Sequence, residues 1–286
     1  MNILEHFISL AEGKKKHVGI GLGSSKEQNM KILDASLDFV ARGNTQISLF
    51  GKEDGINLVK NDSRWQAKGE NIHLIQSQDP ERAIVLALQL KEIDGIVRGS
   101  MSSSKFLSTL KKEKRLKEIN RLALLETAKG HQFFYGPVGI DECNTKEKKT
   151  LFIEAAISIM ERLDMTPRIS VLSGGRKGDL GRDSMVDETI FNATLMVDHF
   201  KEKRPSLDIV HDEILIERAI EKKSNLIIAP EGISGNLIYR TLVHLGQGKA
   251  HGAIYMGINE PIIDTSRVGK RSEIEGAIWM IKALSP

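Results

Sequence analysis

Leu226-Ile227-Ile228-Ala229-Pro230-Glu231-Gly232-Ile233-Ser234-Gly235-Asn236 carries the pattern that decides the fold. A short, wholly apolar run reads as a strand buried on both faces, the habit of parallel sheets. A proline and two glycines turn the chain, and a helical pattern opens at Gly235 and runs to Leu245. A strand that turns through glycines straight into a helix is half of a crossover unit, and crossover units build parallel sheets with helices on both faces.

The same alternation extends outward in both directions. Upstream, Lys146–Leu163, Glu188–Phe200 and Glu213–Lys222 are predicted helices, and Arg168–Leu172 and Asp208–Val210 are predicted strands. Downstream come a strand at Ala253–Gly257 and a closing helix at Ser272–Leu284. Toward the N-terminus, Val18–Leu22, Gln46–Phe50, Asn71–Ile75 and Gly95–Val97 read as strands, with helices over Glu81–Lys91 and Ser102–Lys112. A further helix starts at Ser24 or Ser25, where Glu27 or Gln28 completes a capping box, and Gly43 ends it. A basic helical stretch follows Lys112, and then Phe133–Ile140, with two glycines and a proline, breaks the rhythm. About nine strands exceed one small sheet, so the expected fold is α/β with two α/β domains, each a mostly parallel sheet covered by helices. The break is expected near Gly130–Thr145. Ligands of open parallel sheets bind beyond the carboxyl ends of the strands, which points to the loops after Leu22, Val97, Leu172, Ala229 and Gly257.

Bulk properties narrow the function classes. Of the 286 residues, 40% are hydrophobic and 28% charged, enough for packed cores. The net charge of +3, from 41 basic and 38 acidic side chains, gives no reason to expect nucleic acid as a partner. A small anionic substrate remains open to local basic patches. One cysteine, Cys143, permits no internal disulfide and no cysteine-built metal site, and no metal is expected. No apolar run reaches the roughly 18 residues of a membrane span, and Met1–Leu10 lack a basic region followed by an apolar one. A cytoplasmic protein is the expectation.

Five stretches could carry chemistry. Gly19-Ile20-Gly21-Leu22-Gly23 follows the first strand, but its third glycine comes one residue too early for a dinucleotide fingerprint, so it reads as a tight turn. Ser173-Gly174-Gly175-Arg176-Lys177, continuing to Arg182, offers backbone N–H groups and cations to an anion such as phosphate. It lacks the Walker pattern. Arg98, Ser100 and Ser102 follow the strand Gly95–Val97 at a helix start, where anions or carbonyl groups are held. Ser234 and Asn236 open the helix after Pro230. Last, Asp264-Thr265-Ser266-Arg267 precedes Ser272 and Glu275, an expected capping box that puts Glu273 at the first helical position. Local pattern makes this a loop and a cap. Arg267 stays charged and can only stabilise negative charge.

Taken as an ordered set, Asp94-Gly95-Ile96-Val97-Arg98-Gly99, Val171-Leu172-Ser173, Asn225 to Pro230, Ser234-Gly235-Asn236 with Tyr239, Gly252-Ala253-Ile254, Met256-Gly257 with Pro261, and Asp264 to Arg267 resemble the phosphate acetyl- and butyryltransferases. Within them the chain is most similar to a methanogen group with a methyltransferase-related label. The resemblance implies a phosphotransacetylase-like fold with a first domain at 1–130 and 260–286, a second at 131–259, and a ligand cleft between them. It implies an acyl phosphate and coenzyme A as substrates, and a homodimer. It also implies catalytic roles: Glu273 as base toward the thiol, Ser266 orienting it, and Arg267 on the carbonyl oxygen. Here Glu273 stands where the family has an aspartate, Val268-Gly269 where it has Gly-Cys, and Ser102-Ser103 where it has His-Thr. Two alternatives accompany this reading. One is a methyltransferase-related protein of methanogenesis, using corrinoid or coenzyme M chemistry with a corrinoid or methyltransferase partner protein. The other is a non-catalytic ligand-binding or assembly factor on the same fold.

Overall fold

The computed structural model describes residues 2–68 and 71–286. The chain divides into two compact units, the first made of Met1–Ile119 with Ala250–Pro286 and the second of Asn120–Lys249. In chain order the first unit begins with α1 (Ile3–Ala11), β1 (Lys16–Gly21), α2 (Lys26–Ala41), β2 (Thr45–Gly51), α3 (Glu53–Lys60), α4 (Ser63–Lys68), β3 (Ile72–Gln76), α5 (Pro80–Gln89), β4 (Gly95–Val97) and α6 (Ser103–Lys114). The second unit holds β5 (Asn120–Glu126), β6 (Gln132–Gly136), α7 (Lys146–Arg162), β7 (Arg168–Leu172), α8 (Ser184–Lys203), β8 (Asp208–Glu213), α9 (Ile216–Glu221), β9 (Leu226–Ile228) and α10 (Gly232–Arg240). The chain then completes the first unit with β10 (Lys249–Met256, from Ala250 on in this unit), β11 (Ile262–Asp264) and α11 (Arg271–Leu284). No helix among the described residues is long and apolar enough to cross a membrane.

In the first unit the strands lie in the order β3-β2-β1-β4-β11-β10. All neighbours run parallel except β10, which is antiparallel to β11. The alternating strand-helix pattern forces this, because parallel neighbours need a crossover and the crossovers here are helices. The inner strands are buried on both faces, as their unbroken apolar runs require: Val18, Ile20, Ile47, Leu49, Ile96 and Val97 are fully covered. α11 comes close to β4 and β10 at two glycines. A Cβ on Gly95 would meet Ile281 at 2.6 Å, and one on Gly276 would meet the His251 carbonyl at 2.5 Å. Burying a side chain such as Ile278 or Ile281, both 0% exposed, contributes about 1.5–3 kcal/mol, so this helix is firmly held.

The second unit has the order β5-β6-β9-β7-β8, parallel except for the hairpin of β5 and β6. Phe134, Phe152, Ile153, Ile157, Ile227 and Ile228 form part of its core. Both units are therefore α/β with mostly parallel sheets and helices packed on them.

Several elements depart from the sequence expectations. The stretch after Lys112 that reads as helical contains β5, because pairing with β6 outweighs the helix preference of Leu122-Ala123-Leu124-Leu125. β11 has three residues and no periodicity to find. The capping box expected at Ser272 and Glu275 does not form. α11 begins at Arg271 with Lys270 before it, so Glu273 is its third residue, and Glu275 instead accepts from Arg271 Nε at 2.7 Å.

Candidate functional site

Gly19-Ile20-Gly21-Leu22-Gly23 is a packing device. A Cβ on Gly21 would lie 2.4 Å from the Arg98 carbonyl oxygen, and one on Gly23 would lie 2.1 Å from that of Ser100. Gly99 answers from the other side with φ +63° and only 2.1 Å between its missing Cβ and the Gly21 carbonyl oxygen. The loops beyond β1 and β4 thus touch backbone to backbone, which only glycine allows.

That contact decides what the candidate residues beyond β4 can do. Ser100 is buried; its hydroxyl accepts from Gly23 N–H at 2.6 Å and donates to Asn29 Oδ1 at 2.7 Å, so it locks the turn. Arg98 is 3% exposed. Its Nε donates to Asp264, one Nη to the Met101 carbonyl and the other to the Thr265 carbonyl. All three nitrogens are engaged inside the unit, so the expectation that Arg98 grips a ligand gives way to a bracing role. Ser102 precedes α6 without capping it, and its hydroxyl lies 3.2 Å from that of Ser104.

Beyond β11 the chain makes a turn that ends in α11. Thr265 Oγ1 donates to the Gly99 carbonyl at 3.2 Å. Val268 N–H donates to Ser266 Oγ at 3.3 Å, and Gly269 N–H to the Ser266 carbonyl at 3.1 Å. These bonds aim the Ser266 N–H at Glu273 Oε1, 2.8 Å away. Glu273 is 5% exposed. Burial pushes its carboxyl up to about 7; the Ser266 N–H opposes the shift, Asp264 adds to it, and Arg98 opposes it again. A carboxyl that titrates near neutrality can both take and return a proton at working pH. Gly269 makes room for this longer acid: a Cβ there would lie 2.0 Å from Glu273 Oε2. Arg267 is exposed. The structure brings Ser266 and Glu273 together, with Arg267 beside them in sequence and open to solvent.

In the second unit, Ser173 is buried at the end of β7. Its hydroxyl lies 2.8 Å from the Gly175 carbonyl and 2.9 Å from His211 Nε2. Gly174 N–H donates to Thr189 Oγ1 at 2.8 Å. Gly175 is buried, while Arg176, Lys177 and Arg182 are exposed, and Arg182 pairs with Asp179 at 2.6 Å. Ser234 Oγ donates to the Glu231 carbonyl at 3.1 Å, and Asn236 Nδ2 to the Val138 carbonyl at 2.8 Å. Ser173, Ser234 and Asn236 are thus committed to internal bonds, leaving the exposed cations as the available ligand contacts.

Three groups have partners that the sequence pattern does not show. Asp264, last residue of β11, is one, since its partner Arg98 follows the neighbouring strand β4, far away in the chain. Glu231 caps α10, accepting from Ile233 N–H at 2.6 Å and Ser234 N–H at 2.9 Å. Lys149 is 5% exposed, and burial chiefly lowers its amine, while Cys143, Glu231 and Glu188 partly offset this. A signal for Lys149 exists: it sits three, four, seven and eight residues before Phe152, Ile153, Ala156 and Ile157, on the buried stripe of α7. Among the described residues no group of three or more His, Cys, Asp or Glu side chains could hold a metal ion.

The chain is similar over most of its length to known proteins. The family model described as phosphate acetyl/butaryl transferase matches residues 20–281. A Methanosarcina mazei protein provisionally named methyltransferase mtx subunit X is 38% identical over 283 residues, covering 99% of this chain and 95% of that protein. Phosphate acetyltransferase of Acetivibrio thermocellus is 23% identical over 99% of this chain and 98% of that protein. Among solved structures, a phosphotransacetylase from Streptococcus pyogenes superposes with TM-score 0.71 at 16% identity, covering 99% of this chain and 98% of that one. A branched-chain phosphotransacylase from Enterococcus faecalis V583 gives TM-score 0.69 at 16% identity over 94% and 99%.

Proposed function

Because this chain belongs to the phosphate acetyl/butyryl transferase family, and within it resembles the mtx subunit X proteins of Methanosarcina, we propose that it moves an acyl group between an acyl phosphate and a thiol such as coenzyme A. The observation that carries this reading is Glu273, buried, met by the Ser266 N–H and poised near pH 7. The Glu273 carboxylate takes the proton of the thiol. The thiolate sulfur attacks the acyl carbon, the bond between that carbon and the bridging phosphate oxygen breaks, and inorganic phosphate leaves as a thioester forms, taking up the proton that Glu273 releases. Arg267, exposed and permanently charged, stabilises the oxyanion that develops on the carbonyl. Ser266 orients the base through its backbone. In the second unit, Arg176, Lys177 and Arg182 form the proposed anion loop for a phosphate group, and the protein is proposed to act as a homodimer.

A second reading draws on the names of the full-length relatives: a methyltransferase-related role with a corrinoid or methyltransferase partner protein. A thermal-shift series with coenzyme A, coenzyme M, acetyl phosphate, S-adenosylmethionine and inorganic phosphate separates the two. A ligand at a hundred times its dissociation constant adds about 2.7 kcal/mol of stability. Stabilisation by coenzyme A that Arg267→Ala removes supports acyl transfer. A response to coenzyme M or S-adenosylmethionine with none to coenzyme A supports the methyl-transfer role. A response to phosphate alone leaves a binding or assembly factor.

A further inference from the structure

We propose that Arg98 and Asp264 are positioning residues for Glu273, a buried ion pair that fixes the Thr265–Ser266 turn against the carboxyl and supplies the opposed charges it faces. The proposal rests on reading Glu273 as the base, and its test is read without any substrate.

The geometry begins in the sheet. β4 and β11 are parallel neighbours in the register Val97↔Ile263, so the residues just past Val97 and Ile263 emerge side by side. Arg98 N–H donates to the Ile263 carbonyl at 3.0 Å, which extends the ladder to Arg98 itself. Its guanidinium then holds Asp264, the Thr265 carbonyl and the Met101 carbonyl at once. The planar fork of arginine can satisfy three acceptors in fixed directions; a lysine cannot. From the other side, Thr265 donates to the Gly99 carbonyl. Thr265 is therefore tied at both its carbonyl and its hydroxyl, and the next peptide N–H, that of Ser266, is the one that meets Glu273. Arg98 touches neither the carboxyl nor a reacting atom, and acts through the turn.

The charges around Glu273 can be followed element by element. Asp264 faces it from β11 and Arg98 from β4. From α2, Lys31 bonds Glu27 at 2.8 Å and the Gly269 carbonyl at 3.4 Å. On α11 itself, Arg271 and Glu275 bond each other, and Arg271 also holds Asp38. From β10 come Tyr255, which acts on Arg98, and His251, packed against Gly276. Burial does most to raise the carboxyl; of the charged groups, Asp264 adds to the rise and Arg98 opposes it. Without the pair, a buried glutamate would answer to burial and one N–H alone.

The test is a carboxyl-carbon NMR titration of the intact, glutamate-labelled protein, with the Glu273 signal identified by its loss in Glu273→Gln. The wild type should titrate near 7. In Asp264→Asn the amide oxygen can still accept from Arg98, so the turn stays and only the charge leaves; the midpoint should fall toward the ordinary 4.5. An unchanged midpoint overturns the proposal. In Arg98→Lys the charge stays and the fork is lost; the Ser266 amide signal, which in the wild type should titrate with Glu273, should lose that coupling. Retained coupling removes Arg98 from the positioning role. If neither variant folds, the buried Arg98 Nε–H signal of the wild type decides: it should move with the Glu273 midpoint, and a signal indifferent to pH near 7 sinks the idea. Shifts in the expected sense without any acyl transfer would support the pair and count against acyl transfer alone.

Discussion

Glu231 and Glu273 both lie near the start of a helix, one in each unit, and meet opposite fates. Each helix follows a strand of a mostly parallel sheet, but Glu231, just before α10, accepts from N–H groups of α10 itself, whereas Glu273, the third residue of α11, accepts from the turn before it. Glu231 is half-buried, accepts two N–H groups and has Lys149 nearby; although burial raises it, these partners bring its carboxyl below the ordinary value. Glu273 is fully buried, accepts one N–H group and has Asp264 nearby, and its carboxyl rises to about 7. Position near a helix start therefore does not decide whether a carboxyl is pulled below its ordinary value or pushed above it. Depth of burial, the count of N–H donors and the balance of nearby charges do.

The largest expected effect tests this difference in kinetics. If acyl transfer is the reaction, Glu273→Gln should lower turnover roughly 10²–10⁴-fold, the usual contribution of a positioned base, while Glu231→Gln should leave most of it. Wild-type turnover should climb as pH rises through about 7, where Glu273 becomes the free carboxylate. Equal losses in the two variants would break the comparison.

Stability supplies the next test, with opposite signs. Between its ordinary 4.5 and about 7, Glu273 keeps a proton in the folded state that the unfolded chain has released. Folding stability must therefore fall as pH rises across that window, by up to about 3 kcal/mol. Glu273→Gln should abolish this slope and be the more stable protein at pH 8 in urea unfolding, gaining stability as it loses turnover. Glu231, pulled down, contributes stability that is complete above 4.5 and lost as pH falls through its folded value. Glu231→Gln should flatten only that acid side.

The strands that were legible in the sequence are those whose apolar runs announce burial on both faces. Arg168–Leu172 is found with the boundaries the sequence pattern gives it, and β1, β2 and β9 are within a residue or two. β5 was not legible because a hairpin partner, rather than its own composition, makes it a strand. Part of the site was legible only through resemblance, since local pattern makes Ser266 to Glu273 a loop and a cap. The polar residues past β4 misled for a physical reason. Arg98 and Ser100 look free in sequence, yet their acceptors lie far away in the chain, at Asp264 and Asn29, and only the parallel ladder brings them together. Depth of burial, which separates Glu273 from Glu231, is a property of the packed unit that no spacing reveals.

Gly269 leaves the space that the Glu273 carboxyl fills. It is buried against Glu273, and a methyl there would meet Oε2 at 2.0 Å. Forcing an extra methyl into a filled site typically costs about 1–3 kcal/mol. Gly269→Ala should lose about that much stability and, in kinetics, lower kcat more than it raises KM, because the carboxyl must leave the Ser266 N–H. A variant with wild-type kcat would show that this bond is not what holds Glu273 for the proposed reaction.

The smallest expected effect belongs to the cap. Glu231→Ala frees the N–H groups of Ile233 and Ser234 at the start of α10, a loss worth about 0.5–2 kcal/mol when a cap side chain is removed. The same change takes from the buried Lys149 a nearby negative charge that favours its charged form, so the amine should fall further below its ordinary value, as a lysine-side-chain NMR titration would read. A loss well beyond the cap range, or a Lys149 midpoint that stays put, would mean that Glu231 is coupled to its surroundings as Glu273 is, and that the two helix starts are more alike than their burial makes them.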